Sequence, residues 1–220
     1  MDSPQEPVAG KYVGDGVEIF RLAMITSILT LLTLGVYRFW AKTRIRKYIW
    51  SSVSFRGDAF EYTGTGLEKF LGFLVAIVVL AIYLGLIQMA LFFLGLSLLG
   101  EAETDEEAFV QIGAFYLTAF AVAPLWFFAV YRARRYKMAR TRWRGIRLGM
   151  EKGAWGYAGR AIGYWIVTIL SAGFLLPLQT FKLEQYKTDR SWVGASRFTQ
   201  GGNWKQLYGA MKHLFIALGL

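Results

Sequence analysis

Charge is missing from four long stretches of this chain. Leu22 to Tyr37, Leu71 to Gly100, Ala108 to Tyr131 and Ala161 to Phe181 contain no Asp, Glu, Lys or Arg. A helix of about 20 apolar residues crosses a hydrocarbon layer about 30 Å thick. The first run gives a span of Phe20 to Ala41 if Arg21 and Arg38 snorkel to the interfaces. The second is longer than one span needs and must tilt or project. Pro124 predicts a kink in the third, and Pro177 lies near the end of the fourth. Leu207 to Leu220 is also apolar but short, and holds Lys212 and His213, so it reads as an interfacial helix or a truncated span. Four such runs in 220 residues leave almost no amphipathic face for water, which excludes buried core helices of a soluble protein. Only 18% of the residues are charged, against about 25% in soluble domains.

The net charge of +10 would by itself suit nucleic acid. Its placement beside the apolar runs instead matches the marking of a cytoplasmic membrane face, so no nucleic-acid partner is expected. Arg38 to Arg56 holds Arg38, Lys42, Arg44, Arg46, Lys47 and Arg56 and no acid, while Arg132 to Lys152 holds nine basic residues and one acid. Glu101 to Glu107 is purely acidic. The positive-inside rule puts the basic connections in the cytoplasm and the acidic one outside. By alternation, the acidic amino-terminal segment is expected outside too.

The chain also resembles itself. Tyr12-Val-Gly14-Asp-Gly16-Val-Glu18-Ile-Phe20 and Tyr62-Thr-Gly64-Thr-Gly66-Leu-Glu68-Lys-Phe70 share the pattern Y-x-G-x-G-x-E-x-F. A weaker copy runs Tyr157-Ala-Gly159-Arg-Ala161 to Trp165, and a fainter one starts at Phe198. Each is expected to open an apolar helix. A second motif closes each basic connection. Tyr48, Tyr136 and Tyr186 precede Gly57, Gly145 and Gly194 by nine, nine and eight residues, with an aromatic residue two before each glycine. Alternation of Val53, Phe55, Phe60 and Tyr62 about Gly57-Asp58 fits a short β-hairpin on the membrane surface; an irregular loop fits as well. Four crossings would place Lys182 to Lys205 outside, although it holds five basic and two acidic residues. Either the repeats are inverted or one apolar stretch dips in and returns.

The basic connections have helical periodicity, with aromatic residues on one face and cations on the other. Arg44, Arg46 and Lys47 form one set, and Arg132, Arg134, Arg135 and Lys137 the other. Such helices lie in the headgroup layer, where each cation attracts anionic lipid by about 1 kcal/mol.

The run Thr33-Leu-Gly35-Val-Tyr37-Arg-Phe-Trp40-Ala-Lys42-Thr-Arg44, followed by Gly57-Asp-Ala-Phe60-Glu-Tyr62-Thr-Gly64-Thr-Gly66, resembles the YjgN-type family of bacterial inner-membrane proteins. The resemblance is specific over residues 12 to 70 and looser over 130 to 205. It implies a polytopic inner-membrane protein, and it brings over no activity and no catalytic residue.

The chemistry available is narrow. There is no cysteine, which removes disulfides, zinc–thiolate sites and thiol nucleophiles. His213 is the single histidine, so no metal site, cofactor or catalytic residue is expected. The amino-terminal segment lacks signal-peptide character. Polar residues inside the apolar runs, among them Thr26, Thr30, Thr33, Gln88, Gln111, Thr118, Thr168 and Ser171, are expected at helix contacts or bonded back to their own helix. Glu18 and Glu68, just inside helix starts, suit the helix dipole or an ion pair with Arg44 or Arg46. Gly14-x-Gly16 and Gly64-x-Gly66 suit tight turns better than phosphate cradles, since no Walker lysine follows.

The expectation is therefore an all-α polytopic bundle with interfacial amphipathic helices and short surface hairpins. It forms one membrane domain with repeats near 12–60, 62–150, 157–197 and 198–220. The expected role is a non-enzymatic inner-membrane module that binds anionic lipid, with self-assembly or a membrane-protein partner both open. The alternative is a small-solute transporter using Gln88, Gln111 and Thr118.

Overall fold

The computed structural model describes residues 10–96 and 104–209. Glu101, Glu103, His213 and most of the last apolar stretch lie outside them. The chain divides into two compact units, Met1–Ile82 with Tyr136–Leu148, and Tyr83–Arg135 with Gly149–Leu220.

In the first unit, β1 (Gly10–Tyr12) leads into α1 (Gly16–Leu32), which begins at an Asp15 cap whose side chain accepts from the Val17 amide. The chain turns at residues 33–37 and returns as α2 (Arg38–Ser52), then β2 (Val53–Phe55) and β3 (Asp58–Tyr62). The helices α3 (Gly66–Phe93) and α4 (Asp105–Ala139) each contribute to both units, and α4 leads back to β4 (Thr141–Trp143) and β5 (Ile146–Met150). In the second unit, α5 (Ala154–Leu170) turns at residues 171–175 into α6 (Leu176–Thr188), followed by β6 (Ser191–Val193) and β7 (Ser196–Arg197). A short 3-10 turn at Trp204–Gln206 follows.

The expectation of an all-α fold is corrected here. The strands β1 to β5 are neighbours in chain order and β6 pairs with β7, all antiparallel in the registers Tyr12↔Val53, Phe55↔Asp58, Tyr62↔Thr141, Trp143↔Ile146 and Val193↔Ser196. The aromatic-x-glycine motifs are two-residue hairpins. Arg56 and Gly57 take φ of 52° and 85°, and Arg144 and Gly145 take 52° and 74°. Positive φ at both central positions gives the twist that two paired strands need. In the third hairpin Gly194 occupies the first turn position, at φ 57°, which is why its spacing from the tyrosine is eight and not nine.

The expected spans Phe20–Ala41 and Ala161–Phe181 are also corrected, because each breaks into a helical hairpin. Thr33 and Ser171 end α1 and α5 with matching bonds. Gly35 N–H donates to the Thr30 carbonyl at 2.8 Å, and Gly173 N–H to the Thr168 carbonyl at 2.8 Å. The Thr33 hydroxyl then accepts from the Tyr37 amide at 2.9 Å, and the Ser171 hydroxyl from the Leu175 amide at 3.1 Å. These bonds satisfy carbonyls and amides that a helix end leaves open. Leu34 and Ala172 sit left-handed at φ 48° and 49°, followed by glycines at 89° and 88°. Hydropathy alone could not show this break, because every residue in the turn except the glycine is compatible with an apolar helix. Since β1 pairs with β2, the chain comes back beside its starting point, against the expectation that one crossing separates them.

The helices α3 and α4 are long and apolar enough to cross a membrane. At 1.5 Å per residue, 28 and 35 residues extend about 42 and 52 Å. Their apolar side chains are almost all outward, as Val75, Ile82, Phe109 and Phe120 show. α4 runs on through Pro124. Gln88 donates to the Thr118 hydroxyl at 3.4 Å, and the Tyr83 hydroxyl to the Ala121 carbonyl at 2.8 Å, so these polar groups tie α3 to α4. The Thr26, Thr30, Thr33, Thr118 and Ser171 hydroxyls donate back into their own helices.

Candidate functional site

In the first unit, aromatic rings and cations converge where α2, β3 and the start of α3 meet. Tyr62 ends β3 and is 3% exposed. Its ring meets Trp50 edge-on at 6.0 Å, and Trp50 donates to the Thr141 hydroxyl at 3.0 Å. Arg46 lies over both rings, 5.8 Å from Trp50 and 5.2 Å from Tyr62, and donates to the Tyr62 hydroxyl at 3.3 Å. Lys69 stands 5.0 Å over the same Tyr62 ring and donates to the Thr43 hydroxyl at 2.9 Å. Such cation–ring contacts contribute about 0.5–1 kcal/mol when exposed and more when desolvated.

The repeated tyrosine–glycine spacing has a steric reason. A Cβ on Gly64 would fall 2.5 Å from Tyr62 Oη, and one on Gly14 would overlap Tyr12 in the same way. Each tyrosine folds over the glycine two residues on. The space a phosphate cradle would need is filled by that ring. Gly66 serves packing, since its Cβ would lie 2.6 Å from the Trp40 ring; nothing crowds Gly16.

Glu68 does not pair with Arg44 or Arg46. It accepts from Tyr136 at 2.7 Å and from Arg140 at 2.8 Å. Glu18 sits exposed in the first turn of α1. Arg44 is exposed over Tyr37, at 5.9 Å, and Lys47 is exposed. At the hairpin, Arg144 lies 4.9 Å over Trp143 and pairs with Asp58.

In the second unit, the buried tyrosines 131, 157 and 186 pack together, with centroid separations of 5.5 to 6.0 Å. Tyr131 and Tyr186 donate to the Glu151 and Gly153 carbonyls. Arg134 pairs with Glu184 at 2.7 Å, and Glu184 also takes Lys187. Burial by itself would raise the Glu184 carboxyl. The Lys187 hydrogen bond and the charges of Lys187 and Arg134 outweigh it and hold the carboxyl below the ordinary carboxylate range. Arg135 donates to the Met150 carbonyl at 3.1 Å, whereas Arg132 stays exposed over Phe128. Lys137 is exposed near the end of α4. Of the second cation set named from sequence, Arg134 and Arg135 are thus committed to internal partners.

The weaker tyrosine–glycine copy at Tyr157 is corrected. Tyr157 is inside α5 and buried, and does not precede the helix. The structural counterpart of the earlier helix starts lies at residues 150–153. Val13 N–H donates to the Ser52 carbonyl at 2.9 Å, Thr63 N–H to the Arg140 carbonyl at 2.8 Å, and Glu151 N–H to the Arg190 carbonyl at 2.9 Å. Met150 stands there without the aromatic signature, and the nearest tyrosine, Tyr157, lies inside the helix. The sequence marks Lys69 only as a lone cation one turn into an apolar helix.

No solved structure matches the chain. The "Inner membrane protein YjgN" of Salmonella typhimurium (strain LT2) is 30% identical over 89 residues, which is 40% of this chain and 22% of that protein. The protein of the same name from Escherichia coli (strain K12) is 30% identical over 70 residues, 32% of this chain and 17% of the relative. The aligned stretch thus covers about a fifth of the length of these relatives. The model of the family described as "Bacterial protein of unknown function (DUF898)" matches residues 7–220, and the chain belongs to that family.

Proposed function

We propose that this chain is a non-enzymatic module of the bacterial inner membrane whose basic, aromatic cytoplasmic surface binds anionic lipid headgroups. The observation that carries the reading is the seating of cations on aromatic rings beside apolar helices: Arg46 on Tyr62 and Trp50, Arg144 on Trp143, and Arg190 on Tyr186 at 3.7 Å. Rings of this kind settle at the level of lipid headgroups, and Lys and Arg mark the cytoplasmic side. The relatives' names support the compartment.

In this reading α3 and α4 cross the bilayer. The α1–α2 and α5–α6 hairpins dip in from the cytoplasm and return, because a 17-residue helix reaches only about 25 Å. The amino-terminal strand and the basic connection Lys182 to Lys205 are then cytoplasmic, which removes the conflict with the positive-inside rule. The acidic start of α4, at Asp105, Glu106 and Glu107, is periplasmic.

The absence of cysteine makes the test clean. Single substitutions Ser54→Cys and Ser196→Cys should be labelled only from the cytoplasm, and Thr104→Cys only from the periplasm. Labelling of Ser54→Cys and Ser196→Cys from opposite faces would overturn the topology. Native mass spectrometry should show phosphatidylglycerol retained over phosphatidylcholine of matched chains; equal retention would overturn the binding role.

A further inference from the structure

We infer that Arg46 and Lys69 form a receptor for one phosphate group, placed where α3 begins its apolar run. The inference rests on the lipid-binding reading and narrows it to one site and one chemistry.

Lys69 is the fourth residue of α3, about 4.5 Å along its axis from the first. It is half-buried and feels the charges of Arg46 and Lys42. The Thr43 hydroxyl that accepts from Lys69 gives its own proton to the Phe39 carbonyl at 2.8 Å. Lys69 therefore keeps two N–H groups to offer, and Arg46 keeps the part of its guanidinium not used on Tyr62. Both cations are fixed within about 5 Å of one ring, and that ring is itself held by Trp50.

Among the described residues, no carboxylate forms an ion pair with Lys42, Arg46 or Lys69. Glu68 is the acid whose charge reaches Lys69, and its two oxygens are taken by Tyr136 and Arg140. Arg46 and Lys69 are half-buried cations held over one ring without a counter-charge, which is costly, and an oxyanion removes that cost. A phosphate offers several acceptor oxygens to a lysine point charge and a planar arginine fork.

The scaffold does not need this lysine. In the first Y-x-G-x-G-x-E-x-F copy the same position is Ile19, and α1 forms there as well. A cation that the fold does without, held over the same ring as Arg46, is placed for a ligand.

The test uses the full chain in detergent, with phosphatidylglycerol and inorganic phosphate as separate probes and binding read by native mass spectrometry and calorimetry. Lys69→Gln and Arg46→Gln should each weaken phosphatidylglycerol binding about tenfold, and Arg44→Gln, which removes one exposed surface cation, should weaken it less than either. Lys69→Arg should retain binding, which separates loss of charge from loss of fold. Competition by inorganic phosphate that is lost in Lys69→Gln would support the same receptor with a soluble source. If the native protein prefers phosphatidylglycerol and the Lys69→Gln, Arg46→Gln double variant prefers it equally, this site is refuted and the module reading stands. If the native protein shows no lipid preference, the module reading fails. The phosphate arm then decides the site alone: unchanged phosphate binding in Lys69→Gln, or none in the native protein, refutes it.

Discussion

Gly14 and Gly64 occupy the same place in one motif, yet replacing them with alanine should have unequal effects. Neither glycine has a left-handed φ, so alanine brings no backbone strain at either. The cost is steric only. At Gly64 the new Cβ falls 2.5 Å from Tyr62 Oη and 2.6 Å from its Cζ. The ring cannot swing away, because it is 3% exposed, packs against Trp50 and carries Arg46 and Lys69. Forced overpacking of this kind costs about 1–3 kcal/mol. Tyr12 meets the same clash but is 54% exposed, so its ring rotates into the surroundings at a cost within about 0.5 kcal/mol. For a chain of this length, about 1 kcal/mol moves Tm by about 2–4 °C. Gly64→Ala should therefore lower Tm by about 2–12 °C, and Gly14→Ala by less than about 2 °C. Tryptophan fluorescence in detergent reads both, since Trp50 touches Tyr62. Adding Tyr62→Leu to Gly64→Ala should cost less than the sum of the two single changes. Equal Tm losses in the two glycine variants, or strict additivity in the double variant, would refute the ring-over-glycine account.

Two more outcomes follow from the hairpins and the ion pairs. Gly35→Ala and Gly173→Ala place a side chain at φ 89° and 88° with open space around it, so each should cost about 1–2 kcal/mol of purely conformational origin. Gly72→Ala, inside α3 and uncrowded, should be neutral or stabilising by the same thermal assay. Glu184, held below its ordinary range, contributes stability that is fully present above its unfolded pKa of about 4.3 and lost as pH falls through the depressed folded value. Tm measured between about pH 3 and pH 6 should fall more steeply on acidification in the native protein than in Glu184→Gln. Parallel curves would show that Arg134 and Lys187 do not hold this carboxylate.

The site was legible in part. Arg44, Arg46 and Lys47 stand out as cations among aromatics, and the structure puts Arg46 on two rings. Arg134 and Arg135 look alike in sequence and are spent on Glu184 and a carbonyl. Whether a cation is available depends on what lies across from it, 50 residues away in the case of Arg134 and Glu184. Tyr136 and Arg140 reach Glu68 over a similar separation. No local pattern encodes such pairings.

What the sequence determined alone is the solvent and the punctuation. Uncharged runs demand a lipid-like environment, and glycine after an aromatic residue marks each strand turn. Those are properties of single residues and short windows. Only the tertiary structure decided that two of the four apolar runs fold back on themselves. A largely apolar helix of 17 residues followed by Thr-Leu-Gly is compatible with continuing or turning. The choice is made by the return helix packing against it and by β1 finding β2, 41 or more residues later in every paired position. Hydropathy records which residues avoid water, and the route they take through the bilayer is set by which backbones meet.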